Sequence, residues 1–442
     1  MKNFTQIIFI FLFGIASSFA QQEKGILGEE NWLNNWTEFR SSQSEYGEPT
    51  KILTGNITEN TTLNKRNVYL LLGSVFVTDS TELTIEPGTV ILGDFKSNGS
   101  LTISRGAKLF AKGTQTDPII FSSNRGLKRP GDWGGLILLG KAPVNKFGAG
   151  SVAMLYPNIS SSSYANANYG GDDKVDGSGV IEYVRIEYAG RRVSKDAYFS
   201  GLLLAGVGKQ TKLSNVMVSH SAGKGFEVLG GKLDLFRMVS FNNEGSDYKF
   251  SYGSESIIKN SLAVRSPYAS NGTGSRCLEV KSYEQKEEFD FSKNITNIQA
   301  ENLTLINISN DLKTDIKMNL VEESVFVGSN AKIQMSKSVI SGFNPAVILD
   351  ENIYINQENL EKIKFEAMLF NNCNGNIFVE YNANNDDLEN WYGNSAFFNV
   401  YSKGDNYETF IDSENNKRPD FRLKINKIIA SNEVDPDLRQ VD

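Results

Sequence analysis

Three groups of residues in this chain have types and spacings that could do chemistry. Arg185, Glu187, Arg191, Arg192, Lys195 and Asp196 stand close together in sequence. A carboxylate beside a basic side chain is what glycan-cleaving chemistry asks for, since lyases need a base and hydrolases two opposed carboxylates. Arg185 and Glu187, however, alternate with Val184 and Ile186, which places them on the solvent face of a strand as ion partners of the neighbouring coil. His220, the one histidine, sits between Ser219 and Ser221. A serine–histidine dyad needs the hydroxyl delivered from another rung and an orienting acid, and no nucleophile-elbow motif surrounds it, so His220 reads as structural. Asp172-Asp173-Lys174-Val175-Asp176-Gly177 opens like a calcium loop, yet its third position is Lys174 and its twelfth is Tyr183 instead of a bidentate glutamate. That stretch reads as a turn. One histidine and two cysteines, Cys277 and Cys373, leave no ordinary zinc set. Gly206-Val207-Gly208 and Gly230-Gly231 are corner glycines and not phosphate loops, because no helix follows them. We therefore expect no catalytic residue, no cofactor site and no metal site.

The elements that would position these residues repeat. Tyr183-Val184-Arg185-Ile186-Glu187 is echoed by Asn215-Val216-Met217-Val218-Ser219, by Arg237-Met238-Val239-Ser240-Phe241 and by Ser261-Leu262-Ala263-Val264-Arg265. The step is 22 residues from Val216 to Met238 and 24 from Met238 to Leu262, and Leu303 to Val325 is again 22. Short strands at a period in the low twenties predict an all-β solenoid of about 22–24 residues per coil. Earlier strands are predicted at 74–77, 83–85, 90–92, 101–103, 109–111 and 119–121, with corners at Glu86-Pro87-Gly88-Thr89 and Arg105-Gly106-Ala107-Lys108. Leu136 to Leu139 is apolar at every position and predicts a strand buried on both faces. Asn371, Asn372 and Asn374 suit coil-to-coil bonding at corners, where asparagine tolerates the left-handed conformation.

Around that solenoid the chain divides into four parts. Residues 1–20 have the form of a secretory signal peptide: Lys2, an apolar run from Ile7 to Ile15, and a Ser18-Phe19-Ala20 exit. The run is too short for a permanent anchor, and no transmembrane segment is expected in the mature chain. Residues 21–66 are assigned as an N-terminal cap, with Trp32, Trp36 and Phe39 on one short amphipathic helix laid over the first coil. Residues 67–381 form the solenoid, with loop insertions near 149–178 and 283–297; residues 382–442 form a C-terminal cap and a frayed tail. Removing Lys2 leaves 44 basic and 52 acidic residues, and 44 − 52 = −8 excludes a nucleic-acid partner, whose phosphates demand a basic face. In an exported protein Cys277 and Cys373 could pair, or lie buried in separate coils.

Four motifs carry a resemblance. Leu83-Thr84-Ile85-Glu86-Pro87-Gly88-Thr89-Val90 is followed by Gly131-Asp132-Trp133-Gly134-Gly135-Leu136, by Tyr169-Gly170-Gly171 with Asp176-Gly177-Ser178-Gly179, and by Tyr183-Val184-Arg185-Ile186-Glu187-Tyr188-Ala189-Gly190. In that order they resemble a family of exported right-handed parallel β-helix proteins of Bacteroidota, with a pectin-lyase-like fold and no agreed activity. The resemblance covers roughly residues 68 to 265. It implies a right-handed parallel β-helix located at the outer membrane, cell surface or periplasm, often beside import or secretion complexes. Many members carry an Asp-Asp pair before the Phe-Glu position, where this chain has Ala222-Gly223-Lys224-Gly225-Phe226-Glu227, and more acids one coil later, where it has Gly245-Ser246-Asp247-Tyr248; an acidic metal site is not expected here. The function expected is that of a non-enzymatic binding or scaffolding subunit of an outer-membrane or surface complex. A polysaccharide lyase or hydrolase, or a passive glycan-binding protein, is the alternative on the same fold.

Overall fold

The computed structural model describes residues 24–424 apart from 149, 196, 273, 383 and 384, so the signal peptide, Asp196 and the tail from Ile425 lie outside the described residues. Most of its strands form one continuous parallel ladder folded into three faces, with two short antiparallel pairs, Gly150–Ser151 with Asn168–Tyr169 and Phe410–Asp412 with Asp420–Leu423, outside it. Face A runs through 119–121, 184–186, 216–218, 239–241, 262–264 and 304–306. Face B runs through 101–103, 136–138, 202–204, 226–228, 248–250 and 278–280. Face C runs through 82–85, 108–111, 179–182, 212–214 and 235–236. This is the solenoid the repeat predicts, in the right-handed parallel β-helix form the resemblance implies. Alternation sends one set of aliphatic and aromatic side chains inward, among them Ile181, Val184, Ile186, Leu204, Val218, Phe226, Val228 and Phe250, into a single continuous core.

The turn from face C to face A takes one residue. Tyr183, Asn215, Arg237, Asn260, Asn302, Lys337 and Ala367 hold it with φ between 47° and 56°, a left-handed conformation that costs asparagine least. The corner asparagines are thus Asn215, Asn260 and Asn302. Of the three predicted at the later coils, Asn372 is left-handed, and Asn371 does bond across coils, its amide donating to Ser341 Oγ and its carbonyl accepting from Ser402 Oγ. Val216 pairs with Met238 as the 22-residue step requires, but Leu262 pairs with Val239, a step of 23. The 22-residue step from Leu303 to Val325 is not a repeat, since Thr304 pairs with Val339 on face A while Val325 pairs with Val347 on face B.

The N-terminal segment departs most from expectation. The strand Lys51–Ile57 already pairs with Val68–Val77, so the solenoid begins before residue 67. Residues 24–49 do not cover the first coil; they run lengthwise over the outside of face A. Lys24 Nζ donates to Met368 O and Phe398 O, Leu27 N to Asn260 Oδ1, Ser41 Oγ to Tyr188 OH, and Thr50 N to Val68 O. The reason lies in face A itself, whose outward Met217, Val239, Phe241, Leu262, Val264 and Ile306 are apolar and must be shielded from water. Trp32, Trp36 and Phe39 cover them from a run of turns, not from the expected helix. A hairpin of Phe410–Asp412 and Asp420–Leu423 completes the cover, its Arg422 donating to Gly28 O and its Phe421 ring 6.3 Å from Phe39. At the other end, Val400–Ser402 still pairs with Leu369–Asn371, so the ladder passes residue 381. The helix Asp386–Tyr392 closes the core there with Leu388 and Tyr392, whose hydroxyl donates to Ile363 O.

Face B is covered over part of its length. The insertion near 149–178 lays Val152, Leu155, Tyr156 and Tyr169 on outward Phe76, Ile137, Leu139 and Leu203. This explains why Leu136–Leu139 is buried on both sides, as its composition predicts.

Candidate binding groove

Beyond that insertion the outward column of face B changes character. Leu203 is followed on successive rungs by Glu227, Lys249 and Glu279. Each stands in a triplet whose flanking residues point into the core: Phe226-Glu227-Val228, Tyr248-Lys249-Phe250 and Leu278-Glu279-Val280. The flanking residues fix the strand, and alternation turns the charge outward. These three side chains floor a groove of about 630 Å³, closed at one end by the insertion. One wall comes from the turns after face A, including Tyr198, Lys224 and Asn271; the other comes from 281–288.

The charges in this groove are matched. Lys249 Nζ lies 2.6 Å from Glu284 Oε1 and 3.5 Å from Glu279 Oε1, and Lys281 Nζ lies 2.7 Å from Glu279. Ser246 Oγ donates to Glu279, Ser200 Oγ donates to Glu227, and Lys224 pairs with Glu227 at 3.0 Å. On the far wall Lys146 pairs with Glu288 at 2.7 Å. Burial pushes the Glu279 carboxyl up, but Lys249 and Lys281 outweigh it and hold the group well below the usual carboxylate range. Burial likewise disfavours the Lys249 ammonium, yet Glu279, Glu284 and Glu227 raise it well above an ordinary lysine. Glu284 and Glu288 are also held low, the first against its burial by Lys249 and Lys281, the second chiefly by the hydrogen bond from Lys146.

This arrangement suits contact better than proton transfer. Glu227 and Glu279 stand two rungs apart, about 9.5 Å, near the upper limit for the carboxylates of an inverting hydrolase. Lys249 occupies the rung between them, where a water and a sugar ring would have to sit. A general acid for glycoside cleavage needs a raised pKa, and Glu279, Glu284 and Glu288 are all shifted the other way. Among the described residues no group of three His, Cys, Asp or Glu side chains is placed to hold a metal ion.

The residues singled out in the sequence are not brought together. Arg185 and Glu187 do form an ion pair, at 3.3 Å, but they are not on a solvent face: they lie under the N-terminal segment at 8% and 1% exposure. Tyr46 OH donates to Glu187 at 2.8 Å and Ser122 Oγ at 3.0 Å. Burial raises the Glu187 carboxyl despite Arg185, Tyr46 and Ser122. Arg192 folds back on its own loop, donating to Ser194 O and Lys195 O. His220 takes a left-handed corner, its ring stacked on Tyr188 at 5.1 Å, and burial lowers it to about 4. Neither adjacent serine engages it: Ser221 Oγ donates to Lys224 O, and the buried Ser219 Oγ is unpaired. Cys277 and Cys373 are both free thiols. Lys249 and Glu279 escaped the sequence reading; the signal for them was there, as charged residues between apolar ones 22 and 30 positions apart, but it belongs to the second face of the coil.

A family model for the pectate-lyase-like β-helix domain matches residues 55–413. The chain belongs to that family. Membership of the pectate-lyase-like β-helix family agrees with the three-faced ladder and does not by itself state an activity. Among curated proteins no sequence matches this chain significantly. Two solved structures are similar over most of its length. The enzymatically active domain of tailspike protein 2 from bacteriophage CBA120 is 12% identical over 77% of this chain, with a TM-score of 0.26, and this chain spans 42% of it. The Streptococcus pneumoniae surface protein and adhesin PfbA is 10% identical over 74% of this chain and 88% of its own, with a TM-score of 0.33.

Proposed function

We propose that this chain is a non-catalytic, exported β-helix that acts as a binding or scaffolding subunit at the outer membrane or cell surface, offering the face B groove to a polar ligand. The observation that carries this reading is the saturation of the groove by charge pairs: its carboxylates have lysine partners, and Glu279, Glu284 and Glu288 are held below the range of a proton donor. Such a surface recognises hydroxyls and amides by hydrogen bonding and is rigid before any ligand arrives. The two loop insertions supply a second contact surface. The segment 145–147, which leads into the first, is tied to the second by Asn145 Nδ2 donating to Asn294 O, Phe147 N to Glu288 O and the Lys146–Glu288 pair, and Phe147 and Phe291 are exposed there. Exposed aromatic residues on an anchored pair of loops suit a protein partner, here an outer-membrane complex of the import or secretion type.

The test is affinity purification of the tagged protein from mildly solubilised envelope, followed by incubation of the pure protein with a polysaccharide panel. A stoichiometric outer-membrane partner that is lost with Phe147→Ser and Phe291→Ser is the expected result. Release of reducing or unsaturated ends from any glycan would overturn the non-catalytic assignment.

A further inference from the structure

The groove's charge pattern restricts its ligand, an inference that rests on the proposed reading of face B as a binding surface. Four lysines and four glutamates line the groove, so its formal charge is zero. The signs alternate along the floor, Glu227 then Lys249 then Glu279, one rung apart, about 4.8 Å. A uniform polyanion laid along this floor would bring its charges against Glu227 and Glu279 as often as against Lys249. Lys249 is moreover already engaged by Glu284 and Glu279, at 2.6 and 3.5 Å, so an anion that reached its remaining N–H would stand beside two carboxylates. Placing a like charge against a partly buried carboxylate opposes binding strongly.

A peptide fits less well than a saccharide. The floor is the face of a sheet whose backbone groups are consumed in the ladder, so a peptide main chain would find no strand edge to extend. What the groove does present is side-chain acceptors and donors repeating at a step close to the length of one pyranose ring. Carboxylates accept from hydroxyl pairs, ammonium groups donate to ring and hydroxyl oxygens, and both can do so without leaving their ion pairs. At the rim, Met154 is 70% exposed, and the half-buried Tyr198 ring is braced by Arg192 at 5.5 Å, apolar surfaces suited to the C–H face of a sugar. We propose that the groove binds an uncharged glycan chain and that Glu227 and Glu279 are the residues that exclude polyuronates.

Affinity electrophoresis and calorimetry of the full-length mature protein test this with uncharged glucans, galactans, mannans and xylans against polygalacturonate and alginate. At least one uncharged polysaccharide should bind, with polyuronate at least tenfold weaker, and Tyr198→Ala at the rim should weaken the uncharged ligand about tenfold. The double variant Glu227→Gln/Glu279→Gln leaves four lysines facing two glutamates and should gain polyuronate binding; such a gain cannot arise from misfolding. Equal or tighter binding of polyuronate by the unaltered protein would overturn the proposal, as would binding of peptides in place of glycans, binding of no polysaccharide, or no gain in the double variant while it keeps the uncharged ligand. Cleavage of a bound uncharged chain would overturn only the non-catalytic reading and leave the specificity standing.

Discussion

Faces A and B obey the same inward rule and have opposite outsides. On face A the outward column through Met217, Val239 and Leu262 is apolar, and the N-terminal segment with the C-terminal hairpin seals it. On face B the column through Glu227, Lys249 and Glu279 is charged and floors a groove, although Lys249 and Glu279 are themselves buried. In a solenoid the inward residues set the coil, while the outward ones decide whether a later or earlier part of the chain must return to cover it. Glu187 and Glu279 make the contrast sharpest. Both are buried glutamates facing outward; Glu187 has one guanidinium partner and is pushed up by burial, whereas Glu279 has two lysines and is held down.

The seal on face A should break most expensively. Trp36, fully buried with its ring 5.9 Å from Tyr183, is expected to cost about 3–5 kcal/mol when changed to alanine, read as a fall in the urea midpoint. Arg185→Ala should cost a similar amount, about 3–5 kcal/mol, because it strands Glu187 without its partner. The double variant Arg185→Met/Glu187→Leu should recover much of that loss, and if it is as unstable as the single change the pair's role is different.

Acid should act on the two glutamates with opposite signs. The Glu279 carboxyl is lower folded than unfolded, so its contribution is complete above the ordinary glutamate value of about 4.3 and is lost as pH falls through the lower folded value. The Glu187 carboxyl is higher folded than unfolded, so its contribution is present below about 4.3 and is lost as pH rises through the raised value. Stability measured from roughly pH 8 down to pH 3 should therefore show a flatter acid limb in Glu279→Gln and a relative gain at the upper end in Glu187→Gln. Parallel profiles for the two variants would remove the distinction between the faces. The smallest effect is expected from Glu284→Gln: its side chain is 38% exposed, and its loss should cost less than about 1 kcal/mol while leaving the groove formed.

The coil was legible because the information is local. Val184 and Ile186 alternate with polar residues, Val216, Met238 and Leu262 recur at steps of 22 and 24, and the left-handed corners fall on residues such as Asn215 and Asn260. The double burial of Leu136–Leu139 could likewise be read from four apolar residues in a row. The expected site failed for a nonlocal reason. Nothing near Arg185 or Glu187 in sequence says that Tyr46, some 140 positions earlier, will fold over them. Alternation determined that Arg185, Glu187, Lys249 and Glu279 all point away from the core, a consequence of the two-residue period of a strand. All four are less than a tenth exposed; what stands over them was decided only by tertiary structure, because Tyr46 returns from a distant part of the chain over Arg185 and Glu187 while the groove lies over Lys249 and Glu279.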